Sequence, residues 1–555
     1  MLIPRVQNLT SGETTCSLPA QLTVSVQACY QEKLCRLIPL LMPECTAVAS
    51  DDGLISAEAD DSLVSEQYEL TVKDGRVRIV YSDYLGLRNA VATLAVAVTA
   101  KDGGYTVPEM QVKDQPAATH RGVMLDLARG MKDYQILCED FVLLAKARMN
   151  IAHLHIFDSQ GSCMYLESIP ASALWEGCYS KQQMIDLCAL ADVLGLEIIP
   201  EFDMPAHSSQ LLEVHPEYAC DVDEGIQRRN WTVCAGTEAV YEMYDRVITE
   251  LASIFPGRYI HIGGDELEFV DMTDSKYICH WNDCRKCRQF RKNHNIADRQ
   301  DQLYYFTNRI NGLVKKHGKQ TVIWSDQIDC QREVKLDRDI LLHFWRIAYP
   351  GRGPYEGCSM NAQLSFGFDM VNSYYPETYL DLEPPAYNTS SATLAKWHWT
   401  QIPETDACYH SQIRGAEMCA WEYGNEAGYG HYAHSLASAV VIFADKLWNG
   451  DVLPYGPEYS RSLTKTVLGA RTPEGLDVYE SIGDLIPPRD AVLTRKGETE
   501  KLAYPERVTV GMDTMENTLS KLETMSQSSD AAGRRAKAYA RCIRYAIEEL
   551  KKNQE

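Results

Sequence analysis

No apolar run in this 555-residue chain approaches the roughly 18 residues that cross a bilayer, so the sequence predicts no membrane-spanning helix. Positive charge is also scarce: 54 Lys and Arg stand against 77 Asp and Glu, a formal net charge of −23. Long-range repulsion then opposes nucleic acid and anionic membranes as partners, while a neutral ligand is compatible. Tandem repeats and low-complexity tracts are absent, which argues against a solenoid. The start, Met1-Leu-Ile-Pro-Arg-Val-Gln, lacks the basic stretch and apolar core of a signal peptide. The 18 cysteines lack regular spacing, so the expectation is a cytoplasmic protein with mostly reduced thiols. Asn8-Leu-Thr and Asn230-Trp-Thr match the glycosylation sequon but carry no weight without secretion.

Hydrophobic content of 45% and charged content of 24% are ordinary for a globular protein, and the length calls for two to four domains. Residues 1–116 mix strand and helix signals: Gln21-Leu-Thr-Val-Ser-Val and Tyr68-Glu-Leu-Thr-Val alternate with period two, and Tyr84 to Val98 carries a helical stripe after Asp83. Val107 to Pro116 reads as a proline-punctuated linker. From 117 to 450, eight apolar strand candidates alternate with amphipathic helices: Gly122–Leu127, Ile151–Phe157, Leu196–Glu201, Tyr259–Gly264, Thr321–Ser325, Ile340–Trp345, Phe368–Ser373 and Ile413–Trp421. Eight parallel strands make a (β/α)8 barrel, although the count alone would tolerate a doubly wound sheet. Residues 451–555 read as a C-terminal helical region, with periodic segments at Met512–Met525 and Ala531–Lys552. This region is expected to pack on the barrel or to mediate homo-oligomer formation.

The most informative stretch is Tyr259-Ile-His-Ile-Gly-Gly-Asp-Glu266. An apolar strand ends in two glycines, which let the backbone turn sharply, and then presents two adjacent carboxylates where barrels place their chemistry. Helix capping would be the bland use of such a pair.

Its context resembles glycoside hydrolase family 20, the β-N-acetylhexosaminidases, whose signature is His-x-Gly-Gly-Asp-Glu after a phrase like Phe255-Pro-Gly-Arg-Tyr259. Further matches follow in order: Arg121-Gly-Val-Met-Leu-Asp-Leu-Ala-Arg129, Met149 to Gly161, Ile199-Pro-Glu-Phe-Asp-Met-Pro-Ala-His207, Tyr379-Leu-Asp381 and Trp421. The resemblance covers about residues 1 to 450. It implies a small α/β domain ahead of a catalytic barrel, and substrate-assisted hydrolysis of terminal β-linked amino-sugar glycosides.

In that mechanism the substrate's own acetamide oxygen attacks the anomeric carbon. The resemblance then implies that Glu266 protonates the leaving oxygen and later activates water, while Asp265 stays ionised and steers the acetamide. Tyr379 would donate to the acetamide oxygen, Asp381 would hold sugar hydroxyls, and Arg121 would fork onto the 3- and 4-hydroxyls. Asp158 would orient His207 against Glu266, and Trp324, Trp345 and Trp421 would wall the sugar. Neither a cofactor nor a metal is expected in the reaction.

Three departures bear on substrate choice. The aromatic that the family usually has soon after Asp-x-Gln is missing in Ser159-Gln-Gly-Ser-Cys-Met-Tyr165, Gly130 replaces the histidine after Arg129, and Trp421-Glu422 moves the eighth-strand carboxylate by one residue, altering recognition of the 4- and 6-hydroxyls. Two other readings stay open. His153 and His155 could pair on a metal in an amidohydrolase barrel, or the fold could bind sugar without turnover. Cys279, Cys284 and Cys287 are expected to be reduced loop thiols, with a structural zinc as the alternative.

Overall fold

The computed structural model describes residues 1–552 apart from 171–173, 224–230, 268–278, 327, 330–331, 333, 347–358, 381–393, 395, 423–435, 455 and 479–511. Residues before Asp114 build a mixed sheet in the order Asn8–Pro19, Gly104–Asp114, Tyr68–Lys73, Arg76–Tyr81, Ile55–Ala59, Gln21–Ser25, Thr46–Ala49. Alternate residues of its strands are buried, so one face carries the core. Helix Ala28–Leu41 buries Leu34, Leu37, Ile38 and Leu41, one stripe at helical spacing. Helix Tyr84–Ala97 starts where the Asp83 carboxylate accepts from the Gly86 amide, and it is buried nearly all round because it packs against both the sheet and helix Tyr134–Lys146.

The expected linker Val107–Pro116 is not one. Residues 107–114 finish the strand Gly104–Asp114, and Pro108 is tolerated there because it sits beside the register shift between Ser11 and Thr15, where the ladder is already interrupted.

Eight parallel strands close a barrel: His120–Asp126, Ile151–Asp158, Glu197–Met204, Tyr259–Gly263, Gln320–Trp324, Leu341–Phe344, Met370–Asn372 and Ile413–Ala420, the last pairing back onto the first with Ala416 opposite Arg121. All eight fall on the strands expected from sequence, and helices surround them as a (β/α)8 fold requires. Side-chain alternation divides the interior into layers. Ile151, Ile199, Tyr259, Val322, Leu341 and Val371 form an apolar floor. Two residues further along, His153, Glu201, His261, Trp324 and His343 make a polar layer, closed by Glu417. Burial alone would raise the two glutamates, yet the surrounding imidazoles hold both carboxyls well below their ordinary range.

Beyond the barrel, helices Met512–Met525 and Ala531–Lys552 pair with each other. The longer one docks on the barrel's flank through Arg534 to Glu139, and Tyr539 bonds Ser438 at 2.8 Å. Among the described residues no helix is long and apolar enough to cross a membrane.

Candidate active site

Gly263 and Gly264 take φ of 67° and 92°, and a Cβ at Gly263 would lie 1.7 Å from Asp203 Oδ1. Only glycine fits this turn. It carries Asp265 and Glu266 from the fourth strand into the barrel mouth. Glu266 itself has φ of 42°, an unfavourable backbone for a side-chain-bearing residue. Two bonds hold it there: its amide donates to Asp326 Oδ2 at 3.2 Å, and Trp231 Nε1 donates to its carbonyl at 2.8 Å.

His207, also at positive φ, follows the third strand and faces the pair. Its Nε2 lies 3.6 Å from Asp265 Oδ2 and 3.5 Å from Glu266 Oε2, while Nδ1 lies 3.2 Å from Asp158 Oδ1. Asp158 in turn accepts from Arg129 Nη2 at 2.6 Å and meets His155 Nε2 at 2.9 Å. Burial disfavours charge on His207, but Asp158, Asp203 and Asp265 outweigh it and hold the imidazolium well above its ordinary range. Asp158 is likewise pushed up by burial and pulled well down by Arg129 and His207, so it stays an anion. Asp265 differs. Burial, then Asp326 and Glu266, lift it to about 7 against the pull of His207, and its Oδ1 has no hydrogen-bond partner among the described residues.

A cluster of aromatic rings reaches Asp326, the acceptor of the Glu266 amide, through Trp345 Nε1 at 3.1 Å. Trp345 stacks on Tyr379 with centroids 6.0 Å apart and planes 6° apart, and Trp421 lies 6.0 Å from Tyr379 and 5.9 Å from Trp324. Trp324 is 1% exposed and belongs to the polar layer, donating to Glu201 Oε1 at 2.6 Å. Asp381 lies outside the described residues.

Arg121 requires a correction. It stands at the beginning of the first strand, and the five strand residues after it, at about 3.3 Å each, put roughly 16 Å between it and the strand's mouth end. It is fully buried at the barrel's floor, paired with Glu66 and donating to the carbonyls of Ala118 and Arg148. A sugar cannot reach it. Arg129, at the other end of the same phrase, is the arginine at the mouth: it bonds Asp126 and Asp158 and lies 5.0 Å from the Trp421 ring.

The two departures at Gly130 and Glu422 are one feature in space. A Cβ on Gly130 would meet Glu422 Cβ at 2.9 Å, so the space left by the missing side chain is taken by the shifted glutamate. The Glu422 amide donates to Asp126 Oδ2 at 3.1 Å, and burial raises its carboxyl to about 7 despite Lys132, with Asp126 adding to the rise.

His153 and His155 both point inward, as alternation demands. His153 bonds Glu417 at 2.9 Å, and His155 bonds Glu201 at 2.6 Å. Sequence reasoning missed Trp231, Asp203, Asp326 and Arg346. Trp231 packs 4.3 Å from His207, and Arg346 bridges Asp326 at 3.1 Å and approaches Glu266 Oε1 at 3.8 Å. Asp203 and Asp326 follow strand segments already singled out, which is the signal that could have found them.

Residues 119–448 match the catalytic domain of glycosyl hydrolase family 20, and residues 1–115 match domain 2 of that family. The chain is 28% identical over 241 residues to a β-hexosaminidase of Porphyromonas gingivalis, covering 40% of this chain and 30% of that protein. It is 25% identical over 391 residues to one from Vibrio furnissii, covering 64% and 61%. It thus spans less than two thirds of either relative's length. A solved β-N-acetylhexosaminidase from Bacteroides fragilis superposes with a TM-score of 0.71 at 19% identity, over 84% of this chain and 95% of that one. On both matched regions, this chain belongs to glycosyl hydrolase family 20.

Proposed function

We propose that the protein is an exo-acting, retaining β-N-acetylhexosaminidase that uses its substrate's acetamide as nucleophile. The observation that carries this reading is the Gly263–Gly264 turn, which sets Asp265 and Glu266 side by side against a charged His207. Asp265 Oδ1 lacks a partner among the described residues, and an acetamide N–H supplies one. As the acetamide oxygen bonds to C1, positive charge grows on the nitrogen and favours ionised Asp265. Glu266 gives its proton to the departing oxygen as the C1–O bond breaks. It then takes a proton from the water that opens the oxazolinium ring, leaving the β configuration. The His207 imidazolium, fixed by Asp158 and Arg129, holds Nε2 3.6 Å from Asp265 Oδ2 and 3.5 Å from Glu266 Oε2, where its charge favours the carboxylate that Glu266 becomes on giving up its proton.

In this reading Tyr379 donates to the acetamide oxygen while Trp345 and Trp421 wall the sugar, with Trp324 behind them. Asp381 holds ring hydroxyls, and Arg129 takes over from Arg121 the fork onto the 3- and 4-hydroxyls. We place the protein in the cytoplasm, supported by described cysteines that form no disulfide among themselves.

A panel of aryl β-glycosides tests the reading: N-acetylglucosaminide, N-acetylgalactosaminide, 6-sulfated N-acetylglucosaminide and plain glucoside. Cleavage of acetamido sugars and sparing of the glucoside are expected. In the same panel Glu422→Ala should change the ratio between the two epimers by roughly ten- to a hundredfold, the range of one charged hydrogen bond. An unchanged ratio and unchanged tolerance of the 6-sulfate would mean that Glu422 does not touch the sugar.

A further inference from the structure

Cys284-x-x-Cys287 opens the basic helix Arg285–His294, with Cys284 at its N-cap. The pair is too short a motif to mean anything alone. Its surroundings change that. Cys220 and Cys234, from the connection after the third strand, come to the same point, and all four Sγ atoms lie within 4.8 Å of one another in buried positions. Cys234 Sγ is 3.6 Å from Cys284 Sγ and 3.7 Å from Cys287 Sγ. These separations are far from the roughly 2.05 Å of a disulfide. They match the edge of about 3.8 Å that four sulfurs at 2.3 Å from one tetrahedral zinc ion must have.

The scaffold around the sulfurs is equally built. The Asp221 amide donates to Cys284 Sγ at 3.3 Å, and Arg285 clamps Asp221 at 2.8 Å. A Cβ on Gly236 would meet the Cys287 amide nitrogen at 2.6 Å, so the two segments touch backbone to backbone. The N-terminus of this helix, with Cys284 at its cap, favours negative charge on a thiolate. Cys279, grouped with Cys284 and Cys287 by sequence, lies outside the cluster.

We infer that Cys220, Cys234, Cys284 and Cys287 bind one zinc ion through four thiolates. The ion clasps the connection after the third strand to the one after the fourth. Cys234 lies three residues from Trp231, whose indole packs on His207 and holds the Glu266 carbonyl. A metal outside the reacting centre therefore positions the catalytic turn.

The test uses the full chain purified without added metal. Elemental analysis should find about one zinc per chain, as a closed four-thiolate site predicts. An organomercurial titration followed with a metallochromic indicator should release that zinc, lower the unfolding temperature and reduce kcat. Cobalt substituted for zinc should give the intense thiolate charge-transfer and d–d bands of a tetrahedral site. Cys284→Ser should lose the metal, whereas Cys279→Ser keeps it and Cys220→His retains most of it. If Cys284→Ser fails to fold, the zinc content and mercurial release of the unaltered chain decide the matter. Substoichiometric zinc with all four thiols reacting freely in the folded protein would overturn the inference, as would a Cys234–Cys284 disulfide in peptide mapping or metal loss in Cys279→Ser. Zinc content, mercurial release, unfolding temperature and the cobalt spectrum do not depend on which glycoside is cleaved, or on whether one is.

Discussion

Replacing Glu266 by Gln is expected to cut turnover of glycosides with poor leaving groups by about 10²–10⁴-fold, the usual contribution of one general acid–base group. Activated aryl glycosides, whose leaving oxygen needs no proton, should lose less in the first step. The amide is isosteric and the residue's strained backbone is held through its own N–H and C=O by Asp326 and Trp231, so the turn should survive the change. Leaving-group dependence measured in parallel for both forms checks this. Equal losses on both substrate classes would remove Glu266 from the acid role.

Arg121→Ala should cost stability alone, whereas Arg129→Ala should cost activity as well. Arg121→Ala strands the Glu66 carboxylate, whose side chain is 9% exposed, at the junction of the N-terminal sheet and the barrel floor. Removing one partner of a buried pair costs about 3–5 kcal/mol. Asn150 and Asn89 also approach Glu66, at 3.3 and 3.4 Å, so the loss should fall at the lower end. Arg129→Ala removes the cation beside Asp158 at the mouth. Activity should drop, by about tenfold or more for each charged hydrogen bond lost, and stability should fall too, because Asp126 and Asp158 are both buried and lose their cation. Thermal unfolding and kcat/KM of the two variants, measured at a temperature where both are folded, test the assignment. Loss of activity without loss of stability in Arg121→Ala would reverse it.

The barrel was legible because parallel strands buried on both faces read as continuous apolar runs, and the eight runs fell at the right spacing. The proposed acid–base pair stood out because two glycines and two carboxylates end a strand within the family's phrase, whereas the four residues alone read as readily as a helix cap. Arg121 was misread for a reason of direction. Both arginines of its phrase look alike in sequence, but only the one after the strand reaches the mouth. Pairs distant along the chain were hidden altogether. Gly130 and Glu422 read as two unrelated departures until their contact was seen. The thiols at Cys220 and Cys234 lie 50 or more residues before Cys284, with no motif to connect them. Trp231 looked like part of a sequon, since its bond to Glu266 exists only once two barrel connections are folded together.

Dependence on the 2-acetamido group is the most direct test of substrate-assisted catalysis. Matched aryl β-glycosides that differ only in carrying acetamide or hydroxyl at C2 should be compared with the unaltered enzyme and with Asp265→Asn. An oriented internal nucleophile can be worth about 7–11 kcal/mol. The acetamide substrate should therefore be cleaved several orders of magnitude faster, and Asp265→Asn should shrink that ratio. Comparable rates on the two substrates would contradict the mechanism, because an enzyme that cleaves the plain glucoside well does not need the acetamide.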